Sequence, residues 1–370
     1  MQDVKTASYL QVDLRAIEGN ARQIREELGA GTELIPVVKA DAYGLGAVKI
    51  AQHLSRTGGI RGFAVSHVEE GLALRGAGIE EDVLVMSLPL AFQLADAIEA
   101  GLILTLGGFH QFPALREAVR MTGKKARVSL KLDSGLHRIG FLPAEADALC
   151  AALRDAADWL CVEGAFSHFS DSEKGLMREE EAVFQAYLKT LRAAGQSLKC
   201  CHIASSGSLE TGTAYPYDAV RVGRRLFLDN PARPTGRIRE AFSLRSCLTD
   251  VRERKAGEPL GYGGCVVPER DTRVGVIAIG YGDGLDPALA AARAPVLLNG
   301  QRAALLSCCM DQSLIDLGDI PCEPGDEVTL LGYDGAGNLL PSQETAALIG
   351  CEGCDLTARL TPRVARLYTV

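Results

Sequence analysis

Short apolar runs alternate with amphipathic segments over the first two thirds of the chain. Eight runs rich in β-branched and aliphatic residues occur before position 223, and amphipathic stretches such as 14–28, 47–55, 144–157 and 179–194 lie before or between them. This alternation is typical of parallel βα units, and eight strands are the number that closes a barrel. An open doubly wound sheet has the same rhythm and stays an alternative. The predicted strands are 33–39, 62–66, 82–87, 102–106, 126–133, 160–166, 199–204 and 219–222.

The pattern changes after about residue 240, where short alternating runs are separated by glycine, proline and acidic turns. This change favours a second, mainly β domain. We therefore predict an α/β protein in which an N-terminal (βα)8 TIM-type barrel, residues 1–240, precedes a C-terminal mainly β domain, residues 241–370. The strands predicted there are 243–251, 274–279, 294–298 and 327–331.

Composition and charge narrow the classes of function. The chain is 47% hydrophobic and 23% charged, which is the balance of a folded globular protein. Its 39 basic and 47 acidic residues give a net charge of −8, which disfavours nucleic acid and anionic lipid as partners. The longest uncharged stretch, 100–115, is too short and too interrupted to span a membrane.

The amino terminus lacks the basic and apolar regions of an export signal, so we expect a cytoplasmic protein. Its eleven cysteines are dispersed and odd in number, which predicts mostly reduced thiols. Cys351 and Cys354 have metal-like spacing but no second pair at zinc-finger distance, so we expect no metal site.

Three predicted strand ends carry side chains that could take part in catalysis or binding. Lys39 ends the first strand, where a shielded amine could form a Schiff base with an aldehyde; a lysine that reaches solvent is the plainer interpretation. Lys131 and Arg138, around the end of the fifth strand, could bind a carboxylate or form a structural ion-pair network. Ser206 and Arg221 mark the ends of the seventh and eighth strands, where barrels commonly bind phosphate, although serine and glycine also form ordinary turns.

In the predicted β domain, Tyr262 and Tyr281 each stand among glycines. Such residues form tight turns with a surface aromatic, or they present a phenol that can act as an acid or base. Met310 and Asp311 follow two adjacent cysteines at what resembles a strand end, and these thiols alone do not favour a metal or redox role over burial.

Taken together, these segments resemble the alanine racemase family of pyridoxal-phosphate enzymes, from about residue 9 to residue 368. The most specific signature is Val38-Lys39-Ala40-Asp41-Ala42-Tyr43-Gly44. The resemblance implies a barrel followed by a β domain, pyridoxal 5′-phosphate as cofactor, a small amino acid as substrate, and a head-to-tail homodimer with shared active sites. It also implies a product that feeds cell-wall peptide synthesis. The further residues that occur in the family's order are Lys131, Arg138, His168, Ser206, Arg221, Tyr262, Tyr281, Met310 and Asp311.

The resemblance implies catalytic roles for four residues. Lys39 would carry the cofactor as a Schiff base and act as the base on one face of the substrate carbon, and Tyr262 of the partner subunit would act on the opposite face. His168 would hydrogen-bond that phenol. Arg221 would support His168 and face the pyridine nitrogen. Together they would interconvert L- and D-alanine by a two-base mechanism that needs no metal.

The resemblance also implies how phosphate and substrate are held. Tyr43, Ser206 and the backbone around Gly223 and Arg224 would hold the phosphate. The substrate carboxylate would meet Arg138 and the backbone near Met310 and Asp311, and Tyr281 would narrow the entrance.

Lys131 aligns with a lysine that some members carry as a carbamate, which positions the arginine.

Three positions depart from the family pattern. Cys354 falls where a tyrosine usually binds phosphate and bounds the substrate pocket, Ser205 replaces a common asparagine, and Arg224 replaces an aliphatic residue. A smaller residue at 354 could admit a bulkier side chain, so we hypothesise that serine is accepted better than by a typical member. A second cation is expected near the phosphate.

Other functions stay open at this point. A serine or broad-specificity racemase is the nearest alternative to an alanine racemase. A non-catalytic pyridoxal-phosphate carrier would share the strand-end lysine, but the separate β domain and Tyr262 argue against it. A decarboxylase of the same plan would pair the ring nitrogen with a carboxylate, whereas Arg221 occupies that place.

Overall fold

The computed structural model describes residues 6–57, 59–212, 217–229 and 236–370. The strands within these ranges are β1 (Tyr9–Asp13), β2 (Glu33–Pro36), β3 (Gly62–Val65), β4 (Asp82–Val85), β5 (Ile103–Leu106), β6 (Ala126–Lys131), β7 (Leu160–Phe166), β8 (Cys200–His202), β9 (Ala219–Val222), β10 (Phe242–Arg254), β11 (Thr272–Ile277), β12 (Pro295–Leu298), β13 (Gln301–Cys308), β14 (Ser313–Asp316), β15 (Glu327–Tyr333), β16 (Leu339–Leu340) and β17 (Ala365–Thr369).

The helical segments include five short 3₁₀ turns: Ala91–Gln93, Pro143–Glu145, Arg224–Leu226, Tyr262–Gly264 and Tyr281–Asp283. Among the helices in the described ranges, none combines the length and the apolar character needed to cross a bilayer. The other segments are α1 (Leu14–Leu28), α2 (Lys39–Tyr43), α3 (Ala47–Thr57), α4 (Val68–Gly76), α5 (Leu94–Glu99), α6 (Gln111–Thr122), α7 (Ala146–Asp155), α8 (Lys174–Ala193), α9 (Ser206–Leu209), α10 (Pro287–Ala291), α11 (Ser342–Ala347) and α12 (Gly353–Ala358).

The described chain divides into two compact units that are discontinuous in sequence. The barrel unit contains Asn20–Ala42 and Ala47–Leu226, and the β unit contains Tyr43–Gly46, Phe227–Val370 and the described part of Met1–Gly19. The domain limits expected from the sequence, 1–240 and 241–370, stay predictions.

Eight parallel strands form the barrel unit. Strands β3 to β8 pair in sequence order, and β2 pairs with β9 in parallel. Val38 N–H donates to Ala64 O (2.9 Å) and so joins β2 to β3, while Arg221 N–H donates to Ala204 O (3.2 Å) and joins β8 to β9. These links close the ring, and the prediction of an eight-stranded barrel is confirmed.

The barrel interior is filled by apolar side chains from successive strands. Val37, Ala64, Leu84 and Phe166 form one buried cluster. Strand β9 is buried at all four positions, as expected for a parallel strand covered on both faces. Arg221 is therefore a charged residue inside a strand whose neighbours are apolar, which points to a specific polar environment around it.

The β unit is built on one nine-stranded sheet in the order β16-β15-β12-β13-β14-β11-β10-β1-β17. Its pairs are antiparallel apart from β1 and β17, which run parallel. The predicted mainly β character of this part of the chain is confirmed. The amino-terminal strand β1 belongs to this sheet, between β10 and β17.

Candidate active site

The carboxyl ends of the barrel strands gather the cationic and histidine side chains predicted from the sequence. Lys39 follows β2 by three residues, Lys131 is the last residue of β6, and His168 follows β7 by two. Arg221 lies in β9, and Arg138 lies on the loop after β6. Because parallel strands in a barrel end on the same face, these residues share the face on which barrel enzymes carry their active sites.

Arg221 is the centre of a buried hydrogen-bond network. Its side chain is 4% exposed. Nη2 donates to Ser167 O at 2.7 Å and lies 3.2 Å from His168 Nδ1, while Nη1 is hydrogen-bonded to His202 Nδ1. A guanidinium donates and does not accept, so both imidazoles accept through Nδ1 and carry their proton on Nε2.

Every hydrogen bond that Arg221 makes within the described ranges uses one of its two terminal nitrogens. Its Nε–H has no acceptor among these residues. The network therefore holds the guanidinium in place and leaves one directional donor for another group.

The same cations set the protonation of their neighbours. Burial, with the charges of Arg221 and Arg138, lowers the pKa of His168 to about 3. Burial and Arg221 hold the pKa of His202 well below its usual value. Burial also lowers the pKa of Arg221 to about 10, so it remains a cation at neutral pH while both histidines are neutral.

Lys131 is buried beside this network. Its Nζ donates to Leu132 O (2.8 Å) and lies 5.8 Å from the centre of the Phe166 ring, which Arg221 Cζ approaches to 5.3 Å. Burial lowers the pKa of Lys131 to about 8, and the charges of Arg221 and Arg138 lower it further than Asp133 raises it. A substantial fraction of this amine is neutral near physiological pH.

The lysine segment has an unusual backbone. Ala40, Asp41, Ala42 and Tyr43 all have φ between 51° and 57°, so α2 is a left-handed turn. This conformation costs about 1–2 kcal/mol for each residue with a side chain. The segment therefore persists only because other contacts determine it.

Those contacts come from two carboxylates and one backbone carbonyl of the barrel unit. Glu70 Oε1 accepts from Ala40 N–H at 2.5 Å, and Asp41 Oδ1 accepts from Ala47 N–H at 2.8 Å. Ala42 N–H donates to Val38 O at 2.8 Å, which closes the turn.

Ser206 and Gly223 are in contact near the ends of β8 and β9, where Gly223 N–H donates to Ser206 Oγ at 3.3 Å. Arg224 follows, and its Nη2 binds both carboxylate oxygens of Glu210 at 2.6 and 2.8 Å. A second cation near the phosphate stays a prediction, and the charge of Arg224 is compensated by the Glu210 carboxylate, whose side chain is itself buried.

In the β unit, the Tyr281 turn is bound to the Met310 loop. Tyr281 N–H donates to Cys309 O (2.9 Å) and Gly282 N–H to Met310 O (2.8 Å). Arg363 joins the two segments through ion pairs with Asp283 (3.0 Å) and Asp311 (2.7 Å).

Tyr262 lies on its own glycine-rich turn in the same unit, with its side chain 72% exposed. The preceding Gly261 has φ 70°, and a Cβ there would lie 2.5 Å from Ser307 Oγ, so the turn packs against the end of β13. Tyr262, Tyr281 and Met310 therefore surround the end of one strand.

Gly44, the residue after Tyr43, packs against α12 in the β unit. A Cβ at Gly44 would lie 2.1 Å from Thr357 O on α12, the helix that carries Cys354. The Cys354 side chain is buried.

The barrel unit thus brings together Lys131, His168 and Arg221, and the β unit brings together Tyr281, Met310 and Asp311. Sequence reasoning gave no role to His202, although it lies in the same segment as Ser206 and ends a strand. It also missed Glu70, whose position in α4 has no feature that distinguishes it from an ordinary helix carboxylate.

Comparisons with known proteins agree with this arrangement. Residues 12–231 match the family model described as the alanine racemase N-terminal domain, and residues 241–368 match the alanine racemase C-terminal domain. An alanine racemase of Pectobacterium atrosepticum is 35% identical over 99% of both chains, and one of Thermobifida fusca is 34% identical over 97% of both. The crystal structure of alanine racemase from D-cycloserine-producing Streptomyces lavendulae superposes with a TM-score of 0.92 at 30% identity, covering 100% of this chain and 98% of that one. The predicted resemblance is confirmed, and this chain belongs to the alanine racemase family of isomerases.

Proposed function

We propose that this protein interconverts L- and D-alanine with pyridoxal 5′-phosphate bound at Lys39. The observation that carries the proposal is the contact between Arg221 Nη2 and His168 Nδ1 at 3.2 Å, on the barrel face where Lys39 lies. This contact holds a neutral imidazole in a fixed tautomer beside a cation. Such an imidazole can assist proton transfer by a neighbouring group without gaining or losing a proton itself.

The residues of the barrel unit fit this cofactor. The amine of Lys39 would hold its aldehyde carbon, and the Ser206 hydroxyl and Gly223 N–H adjoin where the phosphate would be held. The Nε–H of Arg221, which has no acceptor in the described part of the chain, suits an acceptor such as a pyridine nitrogen. Family membership implies that Tyr43, Cys354 and the backbone of Arg224 would supply the remaining contacts to the phosphate.

Pyridoxal phosphate, when bound, withdraws electrons from the α-carbon of an attached amino acid and so makes its C–H bond more acidic. Arg221 limits this effect, because a guanidinium donates a hydrogen bond but gives up its proton only reluctantly. A pyridine nitrogen that accepted from Arg221 would stay largely unprotonated, which would disfavour side reactions such as transamination.

Two bases on opposite faces move the proton. Lys39 would act on one face of the α-carbon, and Tyr262 of a second subunit would act on the other. His168 carries its proton on Nε2 because Nδ1 faces Arg221, so it can donate to the oxygen of Tyr262 and stabilise a phenolate. A proton removed on one side and returned on the other inverts the carbon.

The substrate carboxylate would be bound by Arg138 and by the backbone near Met310 and Asp311, with Tyr281 at the entrance. Lys131 has the buried, partly neutral amine that carbamate formation requires, and a carbamate there would bring a negative charge toward Arg138. This assignment requires a head-to-tail homodimer, since Tyr262, Tyr281 and Met310 would come from the second subunit.

An absorbance scan followed by chiral analysis tests the proposal. The purified holoenzyme absorbs as a lysine-bound pyridoxal chromophore and converts L-alanine into the D enantiomer, and Lys39→Ala loses both properties. In D₂O, Tyr262→Phe exchanges the α-hydrogen of one enantiomer far more slowly than that of the other. Tyr187→Phe is the matched control, because its buried hydroxyl has no partner among the described residues. Equal exchange of both enantiomers at the wild-type rate in Tyr262→Phe contradicts the assignment.

A racemase of broader side-chain specificity is the second candidate, and Cys354 is the observation that favours it. A small buried side chain stands where the family usually has tyrosine, and such a residue could admit a bulkier substrate side chain. We expect a raised ratio of L-serine to L-alanine turnover that falls in Cys354→Tyr. A ratio no higher than that of an ordinary family member, and unchanged by this substitution, contradicts the idea.

A further inference from the structure

We propose that Glu70 is the positioning residue for Lys39. Its carboxylate fixes the peptide unit that follows the lysine, and it thereby sets the direction in which the lysine side chain leaves the backbone. This inference rests on the proposed role of Lys39, and it adds a residue that neither contacts the cofactor nor moves a proton.

Glu70 uses both carboxylate oxygens on backbone donors of the barrel unit. Oε1 accepts from Ala40 N–H at 2.5 Å, while Oε2 accepts from Ser66 N–H at 2.7 Å and His67 N–H at 3.0 Å. One side chain therefore ties the segment after β2 to the segment between β3 and α4. Charge-assisted hydrogen bonds of this kind are short and strong.

Ala40 is the point at which this contact has most effect on Lys39. It is the first of four consecutive left-handed residues, so the chain changes hand directly after the lysine. If the peptide between residues 39 and 40 leaves its present orientation, the turn loses the anchor nearest to Lys39, and the backbone that carries the lysine side chain can shift. A misplacement of about 1 Å in a reacting group can lower a rate by about 100-fold.

The rest of the turn has other anchors, so a change at position 70 acts locally. Asp41 accepts from Ala47 N–H, and Ala42 N–H donates to Val38 O. Neither contact involves Glu70. Loss of the Glu70 carboxylate therefore loosens the lysine end of the turn and leaves its far end held.

Glu70→Gln separates the contact with Ala40 from the contacts with Ser66 and His67. Its amide has one acceptor oxygen and an NH₂ group that cannot accept, so it can serve Ala40 or the donors at 66 and 67, but not both. Glu173→Gln is the matched control. Glu173 also accepts from two backbone N–H groups, those of Gly175 and Leu176 at 2.8 Å each, but it caps α8.

The experiment compares the holoenzymes of wild type, Glu70→Gln, Glu70→Ala and Glu173→Gln. The measurements are kcat and KM for both enantiomers, the pH titration of the lysine-bound chromophore, and amide exchange in the peptide 37–46. We expect Glu70→Gln to lose about tenfold in kcat and Glu70→Ala about 100-fold, with KM within about threefold. Both variants show a displaced chromophore titration and faster exchange in 37–46, while Glu173→Gln stays within about twofold of wild type in kcat.

Wild-type kcat and chromophore titration in both Glu70 variants would overturn the inference. An equal loss in Glu173→Gln would also overturn it, since that result reports general destabilisation. Failure of the proposed function has a different signature, because then Lys39→Ala keeps the chromophore of the wild-type protein whatever the Glu70 variants do.

Discussion

The neutrality of His168 is the property on which the proposed proton transfer most depends, and Arg221 is the residue that can be changed to test it. The pKa of His168 falls from 6.5 to about 3, and at about 1.4 kcal/mol per pKa unit this corresponds to at most about 5 kcal/mol in favour of the neutral ring. Burial is the largest cause and the charge of Arg221 the next. Arg221→Gln keeps a possible hydrogen bond and removes the charge. We therefore expect the pKa of His168 to rise above about 3 in this variant, because the largest charge contribution is lost, and to remain below 6.5, because the burial persists.

Nuclear magnetic resonance of isotopically labelled histidine measures this directly, since the protein has only six histidines. In the wild type, His168 and His202 give signals of the neutral Nε2–H tautomer that do not change between pH 5 and pH 8, and His168→Asn assigns one of them. Arg225→Gln is the matched control, because Arg225 is equally buried but pairs with Glu27. It should leave the His168 signal unchanged.

The same shift predicts a dependence of stability on pH. The unfolded chain takes up a proton on each histidine below pH 6.5, whereas folded His168 does so only near pH 3. The free energy of unfolding therefore falls as the pH falls from 6.5 toward 3, and it falls less steeply in Arg221→Gln. A wild-type His168 that titrates with a midpoint near 6.5 would refute this account of the site.

Three further predictions concern other parts of the protein. When the Lys39→Ala and Tyr262→Phe variants are mixed and allowed to exchange subunits, about half of the dimers contain one chain of each kind, and each of these has one intact site of two. The mixture should therefore regain up to about a quarter of wild-type activity. No recovery would contradict active sites shared between subunits. Burial raises the pKa of Glu240 to about 7, so the free energy of unfolding decreases as the pH rises from 4.5 through 7. In chemical denaturation, Glu240→Gln should therefore be more stable than wild type at pH 8, by up to about 3 kcal/mol, but not at pH 4. With ¹³C-bicarbonate, Lys131 should give a carbamate carbon signal that Lys131→Ala lacks; identical spectra would remove the carbamate.

Local sequence patterns predicted the barrel well because its elements are strongly periodic. The strands Leu160–Phe166 and Ala219–Val222 and the helix Leu14–Leu28 have the predicted bounds. Strand β1 was not predicted. It pairs with β10 and β17, more than 200 and more than 300 residues away, and no local pattern reports partners at such a distance.

The lysine segment shows another limit of the same kind. The first strand was predicted to continue to Lys39, but it ends at Pro36, and a left-handed turn begins at Ala40. Local preferences reserve that conformation for glycine, and here a distant carboxylate, Glu70, stabilises it instead. The resemblance supplied the candidate residues of the site. The hydrogen bonds that set their charge and direction, including those of His202, join segments that are distant in sequence, and no local pattern predicts them.

The cations of the barrel face help to keep the His168 imidazole neutral. Lys39, Lys131, Arg138 and Arg221 all lower the pKa of His168, and burial lowers it more than any of them. Such a cluster attracts the two anionic groups of the proposed reaction, a phosphate and a substrate carboxylate. Their negative charges offset part of the cationic field when they bind, but they do not remove the burial of the ring. In the proposed reaction we therefore expect His168 to stay neutral in the loaded site, so that the proton leaving the substrate goes to the amine or the phenol.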